Sequence, residues 1–103
     1  MDGVLPELWT EIRLEQSMKK GFVIEGKTLN VNLLLDYAKK NKLSPEEMSV
    51  KMKMGHMYLR NRRNENKKGI FREAYTGIVE NAIEASGFKY DELVMDMPEG
   101  RTI

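Results

Sequence analysis

Apolar side chains recur at helical spacing in several separate stretches of the chain, and they alternate as in a strand in only one. Over residues 5–20, Leu5, Leu8, Trp9, Ile12 and Met18 fall on one helical face, with Pro6 in the first turn and Gly21 closing the segment. Phe22-Val23-Ile24 and Thr28-Leu29-Asn30-Val31 flank Glu25-Gly26-Lys27, a pattern that predicts a short β-hairpin with Gly26 in its turn. Val31, Leu34, Leu35 and Ala38 then form the stripe of a helix over 31–41, with Asn30 or Asn32 as cap. Leu43-Ser44-Pro45-Glu46-Glu47-Met48 carries the strongest local signal. Ser44 is an N-cap, Pro45 sits at the first helical position, Glu47 completes a capping box, and Leu43 and Met48 form a hydrophobic staple. This helix is short, with Met48 and Met52 on its inner side, because Met54-Gly55 interrupts it. A further helix is expected from 55 or 56 to 66, with Leu59 as its anchor, helped by Tyr58, and polar residues elsewhere. The pattern at Ala74, Tyr75, Ile78, Val79, Ala82 and Ile83 predicts a helix over 70–86, capped by Gly87. A last helix is expected over 90–97, stopped by Pro98, with residues 98–103 as a flexible tail. The expected class is mainly α.

Length and composition narrow this reading without redirecting it. A chain of 103 residues, 41% hydrophobic and 32% charged, suits one domain with one modest core. With no cysteine there is neither a disulfide framework nor a thiolate metal site, which fits a reducing compartment. No apolar run approaches the length of a membrane span, and Met1-Asp2-Gly3-Val4 shows no signal-peptide pattern, so the expected location is cytoplasmic, with no membrane partner.

Charge changes the picture more. The net charge of +1 conceals a segment, 51–72, that holds Lys51, Lys53, Arg60, Arg62, Arg63, Lys67, Lys68 and Arg72 against the single acid Glu65. That window carries +7, so the rest of the chain carries −6. A basic segment in an acidic frame is the footprint of a phosphate-binding face, although a solvated helix face produces the same run.

The order of residues across 43–59 resembles the helix-turn-helix of the lambda-repressor-like (Cro, Xre) family. A capped helix carries a small residue, Ser49, at its fifth position, where a bulky one would hold two helices apart. Met52 follows three later, then a tight turn, then Met54, and Leu59 five further on as the buried anchor of the second helix. The likeness covers roughly 31–95 and includes the closing stretch Gly87-Phe88-Lys89-Tyr90-Asp91-Glu92-Leu93. Three positions depart from the family pattern. Lys53 stands where the turn usually has glycine, Arg62 where an apolar residue is usually buried, and Pro45 where some members have glutamine. Placing the turn on Gly55 instead would put Lys51 at the helix crossing, where it cannot pack, so Lys53 is the turn residue.

The resemblance implies a five-helix helix-turn-helix domain over 31–97; the N-terminal helix and short β-hairpin over 1–30 lie outside it and are a candidate dimerisation element, because Trp9 and the hairpin are not needed by the helical core. It further implies that the helix from His56 enters the major groove of double-stranded DNA and that His56, Met57, Arg60 and Asn61 contact bases. Ser44, Lys53, Gly55, Arg63, Asn64, Lys67 and Lys68 are then the candidate phosphate contacts. The expected function is that of a sequence-specific, homodimeric transcriptional regulator of phage-repressor type. Two alternatives remain open: an accessory DNA-binding protein of a phage, plasmid or transposon, and a protein-interaction module that has lost DNA binding. RNA binding is weaker, because no exposed aromatics cluster beside the basic segment. The chain is not expected to be an enzyme or to use a cofactor or metal. One histidine and no cysteine leave no nucleophile-and-base set, and Glu46-Glu47 and Asp91-Glu92 sit at helix starts where they offset the dipole.

Overall fold

The structure is a computed structural model and describes residues 21–98. The helix expected over 5–20 and the tail beyond 98 lie outside the described residues. In chain order the elements are β1 (Val23–Leu29), α1 (Val31–Lys40), α2 (Pro45–Lys51), α3 (Tyr58–Lys67), β2 (Glu73–Tyr75), α4 (Thr76–Ser86), α5 (Tyr90–Leu93) and β3 (Val94–Asp96). The described residues are therefore of mixed class, five helices on a three-stranded antiparallel sheet of order β2-β1-β3, and not mainly α as the helical periodicities imply.

The hairpin expected over 22–31 is a single strand, and it is the central one. Its turn signal is real but is used differently. Ile24 pairs with Ala74 and Thr28 with Glu73, so Glu25, Gly26 and Lys27 bulge out of the ladder to β2, and Gly26 has the positive φ of 73° that a turn would have required. The bulge is held from both sides. Glu73 Oε2 accepts from the Gly26 amide at 3.0 Å, and the Gly26 carbonyl accepts from the Met97 amide at 2.9 Å. The chain therefore does not reverse at Gly26, and β1 takes its partners from residues about fifty and seventy positions later.

Those partners correct two further expectations. The helix expected over 70–86 begins only at Thr76, because Glu73–Tyr75 pairs with β1, and Ala74 reaches the core from a strand rather than from a helix. The helix expected over 90–97 ends at Leu93, and Val94–Asp96 continues as β3 with Leu29 opposite Val94 and Lys27 opposite Asp96. In both places the backbone groups of β1 need ladder partners, and supplying them outweighs a weak helical preference.

The helical part follows the local signals closely. Asn30 caps α1, accepting from the Leu33 amide, and Val31, Leu34 and Ala38 are buried. The capping box of α2 is formed at both ends: the Glu47 amide donates to Ser44 Oγ at 3.0 Å, and the Ser44 amide donates to Glu47 Oε1 at 2.8 Å. Gly87 closes α4 in the left-handed region. Leu34, Met48, Met52, Leu59, Val79 and Leu93 are the largest fully buried apolar side chains of a core shared by the helices and the inner face of the sheet.

Candidate nucleic-acid interface

The site grows from the contact between α2 and α3. Ser49 is fully buried between them, and its hydroxyl does two jobs. It donates to the Pro45 carbonyl one turn back at 2.8 Å, and it accepts from the amide of Leu59 at 3.0 Å. That amide belongs to the first turn of α3, where no partner exists within the helix and where Met57 offers no side-chain cap. A side chain on the neighbouring helix thus replaces the missing cap. Met48, Met52 and Leu59, all with no exposed surface, close the crossing.

The turn between the helices is made at Lys53. Its φ is +63°, and its amide and that of Met54 return to the carbonyls of Val50 and Ser49. Gly55, by contrast, is not in the left-handed region, and a Cβ there would meet nothing within 4 Å. α3 begins at Tyr58, two or three residues later than its pattern suggests, so His56 and Met57 belong to the turn that leads into it.

The candidate base-contacting set is brought together at this end of α3. His56, Met57 and Asn61 are exposed. Arg60 is 38% exposed, and its Nε donates to Glu46 Oε2 in α2. The Arg60 guanidinium holds the Glu46 carboxyl below its usual range, and the carboxylate in return raises Arg60.

The candidate phosphate contacts divide. Lys53, Asn64, Lys67 and Lys68 are exposed, with Lys53 Nζ 3.5 Å from Glu84 Oε1. Ser44 is half-buried and uses its oxygen as the cap of α2. Arg63 turns toward α1 instead. It lines a groove of about 570 Å³ with Asn32, Leu35, Asp36, Leu43 and Pro45, and its Nε is buried without a partner.

Arg62 folds onto an aromatic ring, with its Nε buried without a partner. Its guanidinium lies 5.6 Å from the Tyr58 ring centroid, and Nη2 is 2.8 Å from Glu65 Oε1. Glu65 also takes a two-pronged grip from Arg72, Nε and Nη2 each at 2.9 Å. The hydrogen bond from Arg72 lowers the Glu65 carboxyl first, with the charges of Arg62, Arg72 and Lys68 adding to it. Burial pushes the Tyr58 phenol up. Two side-chain pairings had no signal along the chain: Glu46 with Arg60 lies fourteen positions apart, and Arg72 reaches Glu65 across a loop.

Among the described residues no group of three or more His, Cys, Asp or Glu side chains is placed to hold a metal, and no helix is long and apolar enough to cross a membrane. No protein-family model, curated protein or solved structure matches the chain.

Proposed function

We propose that the chain binds double-stranded DNA sequence-specifically, as a homodimeric transcriptional regulator, reading the major groove with α3 and the turn that precedes it. The reading rests on one observation: the Ser49–Leu59 crossing and the left-handed turn at Lys53 leave His56, Met57, Arg60 and Asn61 together at one exposed end of a basic helix. Arg offers two parallel donors to guanine, Asn pairs with adenine, and Met57 suits a thymine methyl. The exposed Lys53, Asn64, Lys67 and Lys68 extend from that end along the chain and suit phosphate oxygens, which would position the helix without reading sequence.

The test is fluorescence anisotropy of a random duplex pool against protein concentration at two salt levels, followed by selection and sequencing of the bound fraction. Salt-sensitive binding with an enriched, two-fold symmetric site supports the reading and reports the half-site spacing. Salt-sensitive binding without enrichment makes the protein an accessory, sequence-indifferent binder. An absence of binding at low salt overturns the reading and leaves α3 as a protein-facing surface. Replacing Arg60 and Asn61 together with alanine is expected to abolish binding while the circular dichroism spectrum stays unchanged.

A further inference from the structure

Arg60 is the one arginine among the four residues gathered at the end of α3, and it is not free to swing. Its Nε is committed to Glu46, whose carboxylate sits 30% exposed in the first turn of α2, while its two terminal nitrogens have no partner among the described residues. A guanidinium can grip a pair of acceptors through either of two edges, one that includes Nε and one formed by the two terminal nitrogens. Glu46 takes the Nε of the first and leaves the second open. Holding Nε restricts where the terminal edge of the same planar group can point.

Guanine presents N7 and O6 side by side in the major groove, spaced for such an edge. An arginine held in advance loses less side-chain freedom on binding than one that must be ordered by the DNA. The carboxylate has a second effect. It stands beside the reading face of a basic helix and repels phosphate wherever the arginine does not find its guanine, so it weakens binding to unselected DNA.

On the reading that α3 binds DNA, we infer that Glu46 is a positioning residue that presents the terminal edge of Arg60 to a guanine at one position of each half-site. A carboxylate that merely braced α2 against α3 would affect specific and non-specific DNA alike, through folding. Removing a positioning carboxylate weakens specific binding and leaves non-specific binding unchanged or stronger.

The experiment uses the full chain as wild type, Glu46→Gln, Glu46→Ala and Arg60→Lys. Each is checked for unchanged thermal unfolding and then taken through duplex selection and anisotropy on the enriched site and its single-base variants. The wild type is expected to enrich guanine at one half-site position. Glu46→Ala and Arg60→Lys are expected to lose that preference by about fivefold or more, the lower end of what one two-pronged contact discriminates. Glu46→Ala is expected to bind unselected DNA as tightly as wild type or more so. Glu46→Gln keeps the shape and one acceptor oxygen, so it gives a smaller loss and serves as the test if the alanine variant unfolds. An enriched wild-type site whose guanine preference survives Glu46→Ala, or that contains no guanine set by Arg60, overturns the inference while leaving DNA binding intact. Failure of the wild type to enrich any site overturns both.

Discussion

The amide of Leu59 donates to the hydroxyl of Ser49 at 3.0 Å, and the same hydroxyl donates to the carbonyl of Pro45 at 2.8 Å. One small buried side chain thus spaces two helices and caps the second of them. Alanine at 49 would keep the spacing but strand the Leu59 amide in a dry contact. Ser49→Ala is expected to destabilise the domain by about 1–3 kcal/mol, the cost of an unsatisfied buried donor. Urea unfolding measures it, and an unchanged midpoint would mean that the hydroxyl is dispensable.

Lys53 pays for its place in the turn with a φ of +63°. Glycine removes a left-handed cost on the order of 1–2 kcal/mol and adds chain entropy of about 0.5–1 kcal/mol, so Lys53→Gly is expected to stabilise the domain by up to about 1.5 kcal/mol. The same substitution removes an exposed cation beside the proposed reading face. Its DNA affinity is expected to fall and the slope of affinity against salt to shrink by about one phosphate contact. Thermal unfolding and salt titration read the two effects separately.

Glycine at 21 is required by both conformation and space. Its φ is +81°, and a Cβ would sit 2.1 Å from Thr76 Oγ1 and 2.6 Å from the Gly77 nitrogen. That hydroxyl accepts from the Phe22 amide, and the Thr76 amide donates to the Phe22 carbonyl, so a displaced chain loses the join between β1 and α4. Gly21→Ala is expected to cost more than about 1 kcal/mol. Hydrogen exchange should show the loss first at residues 22–24 and 75–76.

Glu65, which pairs with Arg62 within α3, links that helix to the segment before β2 through Arg72. Its carboxyl is held below the ordinary 4.5, so its contribution is complete above that pH and is lost as the pH falls through the lowered value in the folded protein. Glu65→Gln is expected to lower the melting temperature at pH 7. The gap from wild type should narrow as the pH drops below 4.5, where the native carboxylate is itself protonated. A gap that persists unchanged at low pH would show that the pairing is not what the substitution removes.

The sequence by itself determined the features whose causes lie within a few residues of one another. The Ser44–Glu47 capping box and the Gly87 terminus appear where the local pattern places them, the cap of α1 falls on Asn30 rather than Asn32, and Val31, Leu34 and Ala38 of its four-residue stripe are buried while Leu35 is only partly so. The frame of the helix pair was also legible, because a small residue at 49, a turn at 53 and an apolar anchor at 59 satisfy one steric arrangement, whereas a turn at Gly55 would have put a lysine in the crossing. Tertiary structure alone decided the sheet. The local pattern at 22–31 is compatible with a hairpin or with a bulged strand. The choice depends on whether Glu73–Tyr75 and Val94–Asp96 are there to pair with it, and a strand's partners are set by distant backbone rather than by its own residues. The same holds for the pairing of Arg60 with Glu46 and of Arg72 with Glu65. Charges along a chain show which residues can pair, but only packed helices bring a given carboxylate to a given guanidinium.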